Sequence, residues 1–178
     1  MNEIKQKRIK KIITLVVLFA IVLHLIPIPF HKTYEAIEIK LDDPNYLEYT
    51  KVHIDGLYKI NIGDDAFDGH IGVEGYDVTE GEVIWDIKIS THLNLSGLSY
   101  QLDTDRDPMY SFGNIISEPF FKHFALVVWD NIAENKKDVF RIPDHGHWSG
   151  TDGYCIVPNV TTREEALKAL KALNMIKE

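Results

Sequence analysis

The sequence contains a single cysteine, Cys155, which excludes a disulfide bond within the chain. Its neighbours in the segment GYCIVP are mostly apolar, which is typical of a buried cysteine. A reactive thiol needs a group that activates it, and the sequence offers no histidine partnered with Cys155. We therefore expect a structural role for this residue and no cysteine nucleophile.

Positive charge is scarce beyond the N-terminus. The chain has a net charge of -8, and because residues 1–11 carry +4, the remainder carries -12. Affinity for nucleic acids comes largely from cations that neutralise phosphates. The acidic composition therefore argues against nucleic acid as a partner, and we predict none.

Motifs of well-known enzyme classes are also missing. The sequence has no Gly-x-Ser-x-Gly elbow, no phosphate-binding loop and no His-Glu-x-x-His pair. Its 178 residues are enough for one globular domain with an appendage, and 45% of them are hydrophobic, as in ordinary folded proteins. We predict no catalytic residue and no cofactor, which favours a protein that is not an enzyme.

The chain does contain a long uncharged run. Residues 12–30 include no Asp, Glu, Lys or Arg, and they follow the basic segment 1–11. A helix of this length extends roughly 28 Å, which is close to the hydrocarbon thickness of a bilayer. Positively charged residues beside a transmembrane helix usually stay in the cytoplasm. We therefore predict a basic cytoplasmic stub at 1–11, a transmembrane helix at 12–30 and an extracytoplasmic domain at 31–178.

A cleaved signal peptide is the alternative reading of the same run. Cleavage requires small residues at the last and third-last positions before the cut. In the exit segment IPIPFHKTYEA only Ala36 is small, and Tyr34 stands two residues before it. We therefore favour an uncleaved anchor and predict a single-pass protein of the cell membrane.

The rest of the chain has the periodicity of β-strands. Apolar residues recur at every second position over 37–41 and 83–89, which is typical of antiparallel strands. The middle of 121–130 is apolar at consecutive positions, which indicates a central strand covered on both faces. The segments IDG at 54–56 and FDG at 67–69 predict hairpin turns. We predict a mainly β (α+β) domain, an antiparallel meander or sandwich.

The C-terminal residues change to a helical pattern. Thr162 and Glu165 have the spacing of a capping box. Apolar residues then recur at helical spacing: Ala166, Leu167, Leu170 and Leu173. We predict one amphipathic helix at 162–176 that packs on the sheet.

The segment IPDHGHWSGTDG, residues 142–153, raises the question of a metal site. His145 and His147 are two residues apart, and two imidazoles on one face of a strand can bind zinc together with a carboxylate such as Asp144. The glycines and proline around them are typical of a loop, which does not fix the two rings. We predict a turn shaped by Asp152 and Gly153, with His145, His147 and Asp144 as candidate ligands if a metal binds.

The acidic segment DTDRDP raises the same question for calcium. Asp103, Asp105 and Asp107 match the start of a helix-loop-helix calcium loop. That loop also requires Gly at its sixth position and Glu at its twelfth, where this chain has Pro108 and Asn114. A looser calcium site and a solvated acidic loop are the two alternatives that remain.

Two segments carry a resemblance to a known group of proteins. FDGHIGVEGYDVT at 67–79 and WSGTDGYCIVPNVTTREEALKAL at 148–170 follow the basic start and the apolar run. This layout resembles small membrane-anchored proteins of unknown function from Clostridium- and Bacillus-like Gram-positive bacteria. The matching positions are Phe67, Gly69, Trp148, Ser149, Asp152, Gly153, Pro158, Arg163, Glu165 and Ala166. The resemblance implies a β-rich extracytoplasmic domain and no particular activity, and its pattern does not include His145 or His147.

Three functional hypotheses follow. The first is a non-catalytic binding or accessory module at the cell surface, which recognises a protein or an envelope component. The second is a metal-assisted hydrolase of an envelope substrate that uses His145, His147 and Asp144. The third is a structural subunit that associates through its transmembrane helix.

Overall fold

The structure of the chain is a computed structural model. It describes residues 3–83, 87–89, 95–102, 109–138 and 146–176. Within helix α1, the side chains of residues 3, 4 and 20–25 are outside this description.

Helices and strands follow one another in a simple order along these ranges. The helices are α1 (Glu3–Leu25), α2 (Asp130–Ala133) and α3 (Arg163–Ala172), with short 3-10 helices at Asp77–Glu80 and Pro119–Phe121. The strands are β1 (Ile28–Lys40), β2 (Leu47–Lys59), β3 (Asp65–Val73), β4 (Glu82–Val83), β5 (Ile87–Ile89), β6 (Ser96–Gln101), β7 (Met109–Ser117), β8 (Phe124–Val128) and β9 (Tyr154–Pro158).

These strands form one antiparallel sheet in the order β4-β6-β7-β8-β9-β1-β2-β3-β5. Two meanders, β1-β2-β3 and β6-β7-β8-β9, are joined where β9 pairs with β1. The sheet curls until β3 and β5 at one edge approach β4 and β6 at the other. The prediction of a mainly antiparallel β domain is confirmed; a meander forms, as one curled sheet instead of two stacked sheets.

Both faces of the central strands are covered. On β1, Tyr34 and Ala36 point into the concave face, where a core of aliphatic and aromatic side chains fills the curl. Ile37 and Ile39 point to the convex face and pack with α3. Every residue of β8 is buried, which confirms the prediction of a central strand within 121–130.

The two predicted hairpin turns at 54–56 and 67–69 are wrong. β2 and β3 run straight through them, and Gly56 pairs with Gly69. A Cβ on Gly56 would lie 2.4 Å from the carbonyl oxygen of Asp68 and 2.6 Å from the Cα of Gly69. Gly56 and Gly69 therefore permit a close approach of two backbones, a second use of glycine in strands that a turn rule does not distinguish.

The predicted strand at 83–89 is also corrected. Glu82–Val83 pairs with β6, whereas Ile87–Ile89 pairs with β3, so the two pieces lie at opposite edges of the sheet. The alternation is confirmed in Ile87–Ile89, where Ile87 and Ile89 are buried and Lys88 is exposed, and Glu82–Val83 is a separate strand. Trp85 lies outside the described residues.

The apolar run near the N-terminus has different bounds from those predicted at 12–30. Helix α1 covers Glu3–Leu25, so the basic segment is part of the same helix, and β1 has begun at Ile28. Pro27 and Pro29 explain the boundary, because proline lacks an amide hydrogen and disfavours helix in the residue before it. Among the described residues, no helix has the length and hydropathy that would let it cross a lipid bilayer.

The described apolar side chains of α1 are exposed. They are Ile9, Ile12, Ile13, Leu15, Val16, Val17, Leu18 and Phe19. Consecutive residues of a helix point in directions about 100° apart, so this run places apolar surface on every side.

Helix α3 confirms the predicted capping box. The Thr162 hydroxyl accepts a hydrogen bond from the amide of Glu165, and the Glu165 carboxylate accepts one from the amide of Thr162. The helix ends at Ala172 and not at 176, because Asn174 adopts a left-handed conformation with φ of 57°. The amide of Met175 then donates to the carbonyl of Leu170.

Candidate functional site

A pair of carboxylates lies at one end of the concave face. Glu38 on β1 is directly opposite Glu48 on β2. Side chains directly opposite one another in an antiparallel pair are neighbours, and like charges there repel. Glu38 is 1% exposed, so its charge cannot be compensated by water.

Lys136 compensates both carboxylates. Its ammonium donates to Glu38 Oε2 at 2.8 Å and to Glu48 Oε2 at 2.6 Å. It also donates to the Tyr46 hydroxyl at 3.0 Å, and that hydroxyl donates to Glu38 Oε1 at 2.9 Å. Each oxygen of the buried carboxylate therefore has a donor. We call Glu38, Glu48, Lys136 and Tyr46 the polar cluster.

The surroundings favour the charged form of Lys136. Burial alone would lower its pKa, but hydrogen bonds to Glu38 and Glu48 outweigh burial and raise the pKa above its ordinary value. The ammonium also lies 5.0 Å from the ring centre of Tyr76, a cation–π distance. The Tyr76 hydroxyl is buried without a hydrogen-bond partner among the described residues, and burial raises its pKa strongly.

Lys136 belongs to a segment that closes this end of the curled sheet. We call residues 130–138 the cap segment; it contains α2 and the turn that follows. Ile132 and Ala133 are buried in the core of the concave face. The carbonyl of Lys136 accepts a hydrogen bond of 2.9 Å from the amide of Asp77, which ties the cap segment to the turn after β3.

An open groove runs beside the polar cluster. A cavity of about 590 Å³ lies between Tyr46, Tyr154 and the cap segment, and a smaller one of about 120 Å³ adjoins it through Glu134 and Tyr154. We call the two together the distal groove. Its carboxylates are Asp42, Glu48, Asp130, Glu134, Asp138 and Asp152, against three lysines. The groove therefore carries an excess of negative charge.

His147 is the one candidate metal ligand of the sequence that the structure describes. It lines the smaller cavity, and its amide donates to Asp130 Oδ1 at 2.7 Å. Among the described residues, no group of three or more His, Cys, Asp or Glu side chains could hold a metal ion. His145, Asp144 and the acidic segment 103–108 lie outside the described part of the chain, so the metal hypotheses stay predictions.

The segment 146–153 does form a turn before β9. The Trp148 indole donates to the carbonyl of Tyr154 at 3.0 Å, and Ser149 Oγ donates to Asp152 Oδ1. A Cβ on Gly153 would lie 2.1 Å from the Trp148 ring. Gly153 therefore leaves room for the indole, a reason that its position in the sequence does not reveal.

Cys155 is buried beneath α3, as predicted. It is part of the convex-face core together with Ala166 and Leu170. Burial raises the pKa of its thiol to about 12. At neutral pH the thiol is therefore protonated and out of contact with solvent, which supports a structural role.

Sequence reasoning missed the polar cluster. The alternation in β1 predicts that Glu38 faces solvent, but the strand is covered on both faces and Glu38 follows Tyr34 and Ala36 on the concave side. Lys136, which makes this burial possible, is 98 residues away in sequence. Among the aromatic side chains, Tyr100 and Phe121 are buried in the core, whereas Phe120 is 42% exposed.

Known proteins offer no guide to this site. No family model, no curated protein and no solved structure matches the chain. The resemblance drawn from the sequence therefore stays a prediction.

Alkaline pH is expected to destabilise the fold. Burial raises the pKa of six described tyrosines above the ordinary value of 10.0: Tyr34, Tyr46, Tyr58, Tyr76, Tyr100 and Tyr154. Above about pH 10 the unfolded chain loses these protons while the folded chain keeps them, so the free energy of unfolding falls as pH rises. Lys136 acts in the same direction, because its pKa is also raised.

Denaturant unfolding at neutral and alkaline pH measures this effect. We expect full stability below pH 10 and a progressive loss above it. Full ionisation of all eight tyrosines in the folded protein at the ordinary pKa of tyrosine, measured as tyrosinate absorbance, would contradict the prediction.

Proposed function

We propose that the protein is a membrane-anchored, non-catalytic binding module that recognises a protein or an envelope component through the distal groove. The observation that carries the proposal is the arrangement of the chain. Helix α1, which is uncharged from residue 12 onward, leads after two residues into a sheet whose other end bears an open, charged groove. The sheet domain would lie outside the cell membrane.

The exposed apolar surface of α1 supports an anchor. A helix that is apolar on all sides needs an apolar environment, either a membrane or the core of an assembly. The absence of charge over 12–27, before β1 begins at Ile28, and the basic residues at the start of α1 favour the membrane.

The length of β1 supports a groove that faces away from the anchor. Glu38 is ten residues after Ile28, and at about 3.3 Å per residue this separation is roughly 33 Å. A partner could therefore reach the distal groove without contacting the bilayer. The excess of carboxylates favours partners with positively charged surfaces, because complementary charge increases association rates and selectivity.

The polar cluster supports binding more than catalysis. Glu38 and Lys136 neutralise each other, and Glu38 is too deeply buried to meet a substrate in this conformation. The role that their contacts support is to hold the cap segment, and with it one wall of the groove, in a single position.

The full chain in native membranes tests the proposal. A photo-crosslinking amino acid at Glu134 in the groove is expected to give a defined adduct, and the same probe at Lys168, exposed on α3, is expected to give none. Asp152→Lys should reduce the adduct severalfold, whereas Glu164→Lys on α3 should leave it unchanged. Equal adducts at both probe positions would contradict a role of the groove.

Two further variants distinguish a helix that only anchors the protein in the membrane from a helix that associates with another protein. Removal of residues 1–26 should release the protein from the membrane fraction. Replacement of 12–25 by an unrelated transmembrane sequence should keep both the membrane location and the groove adduct. Loss of the adduct in the replaced chain would favour a structural subunit that associates through its helix.

A further inference from the structure

The end of the sheet that adjoins α1 lies opposite the distal groove. α1 ends at Leu25 and β1 begins at Ile28, so only Ile26 and Pro27 connect them, a span of about 10 Å or less. Ile28 pairs with Tyr58 near the end of β2. The turn between β2 and β3, residues 60–64, is therefore at the same end of the sheet as the helix.

This end presents apolar side chains to solvent. Ile62, in the turn, is 96% exposed, and Ile26 beside the helix is also exposed. Single exposed apolar residues are common on protein surfaces. Here they share one end of the sheet with a third, Phe120, whose position is fixed by an unusual backbone.

Phe120 and Phe121 both have positive φ, 58° and 51°. Bulky residues rarely adopt this left-handed conformation, and it persists only where surrounding contacts hold it. It buries Phe121 in the core and leaves Phe120 partly exposed, stacked on the Tyr58 ring at 4.3 Å between ring centres.

The buried pair Tyr58 and Asp65 forms hydrogen bonds to the backbone at Phe120 and beside Ile62. The Tyr58 hydroxyl donates to Asp65 Oδ2 at 2.7 Å and accepts from the amide of Phe120 at 3.0 Å. Asp65 Oδ1 accepts from the amide of Asn61 at 3.0 Å, next to Ile62. Tyr58 and Asp65 thus link the turn that contains Ile62 to the segment that contains Phe120.

We propose that Ile26, Ile62 and Phe120 form a membrane-contact surface that inserts into the interfacial region of the bilayer that holds α1. This inference rests on the anchor in the proposed function. The two-residue connection keeps this end of the sheet against the bilayer, and aliphatic and aromatic side chains bind the boundary between headgroups and acyl chains. The contact orients the distal groove away from the membrane.

Site-specific fluorescence on the full chain in phosphatidylcholine vesicles tests the inference. An environment-sensitive fluorophore is attached to Ile62→Cys, and in the matched control to Lys137→Cys in the cap segment, whose side chain is 71% exposed. The native Cys155 is buried, so the introduced thiol reacts selectively. Lipids that carry a quencher near the headgroup report on contact.

We expect a blue-shifted emission and strong quenching at position 62, and neither at position 137. Flotation of the vesicles reports separately on the anchor. If the protein floats with the vesicles but the two positions behave alike, the membrane-contact surface is wrong and the anchor stands. If the protein does not float, the anchor itself is wrong, and the inference is overturned with it.

Discussion

Replacing Lys136 by methionine is expected to lower the free energy of unfolding by about 3–5 kcal/mol. The substitution leaves the buried carboxylate of Glu38 without its cation and directly opposite Glu48. The Tyr46 hydroxyl would still donate to it, but a neutral donor does not compensate the charge. Denaturant unfolding of the full chain measures the loss.

Two variants test the electrostatic explanation. Glu38→Gln together with Lys136→Met removes both buried charges and should recover much of the lost stability. Lys137→Met, at the next position, breaks only an exposed ion pair with Asp77 and should cost less than about 1 kcal/mol. Equal effects of Lys136→Met and Lys137→Met would show that the polar cluster contributes little.

Gly113→Ala is expected to have the second large effect, a loss of about 2–4 kcal/mol. Gly113 is in β7 with φ of +149°, and a Cβ there would lie 2.0 Å from the carbonyl oxygen of Val127 on β8. β7 and β8 are inner strands of the sheet and cannot separate without disturbing the core. Thermal and denaturant unfolding both measure the loss.

Gly63→Ala is the matched control. Gly63 also has positive φ, +113°, but its Cβ would meet nothing within 4 Å. It should therefore show the backbone cost alone, about 1 kcal/mol. If Gly113→Ala destabilises the fold no more than Gly63→Ala does, the predicted steric conflict between β7 and β8 is wrong.

The elements that sequence predicted well depend on neighbouring residues. The capping box of α3 involves Thr162 and Glu165, three positions apart, and is formed as expected. The buried strand at 124–128 is apolar at consecutive positions, which is sufficient to indicate that both of its faces are buried. The burial of Cys155 follows from its apolar neighbours in the same way.

The elements that sequence predicted poorly depend on partners in other strands. Gly56 and Gly69 have the local context of turns, but their pairing across β2 and β3 makes them sites of close backbone contact. Segment 83–89 has an apolar residue at every second position, yet its two ends pair at opposite edges of the sheet. The spacing of apolar residues in the sequence indicates which face of the sheet a side chain lies on. It does not indicate which strand is the neighbour.

The sequence by itself determined the class of the domain, the capped C-terminal helix, and the uncharged run at 12–30 that suggests an anchor. Periodicity, capping and composition are local properties, and they act before the chain has found its long-range contacts. Only the tertiary structure decided that Glu38 is buried, that Lys136 neutralises it, and that Tyr58 and Asp65 join two loops beside α1. These features require residues up to 98 positions apart to meet, and their stabilisation arises from burial that exists only once the sheet has curled around its core.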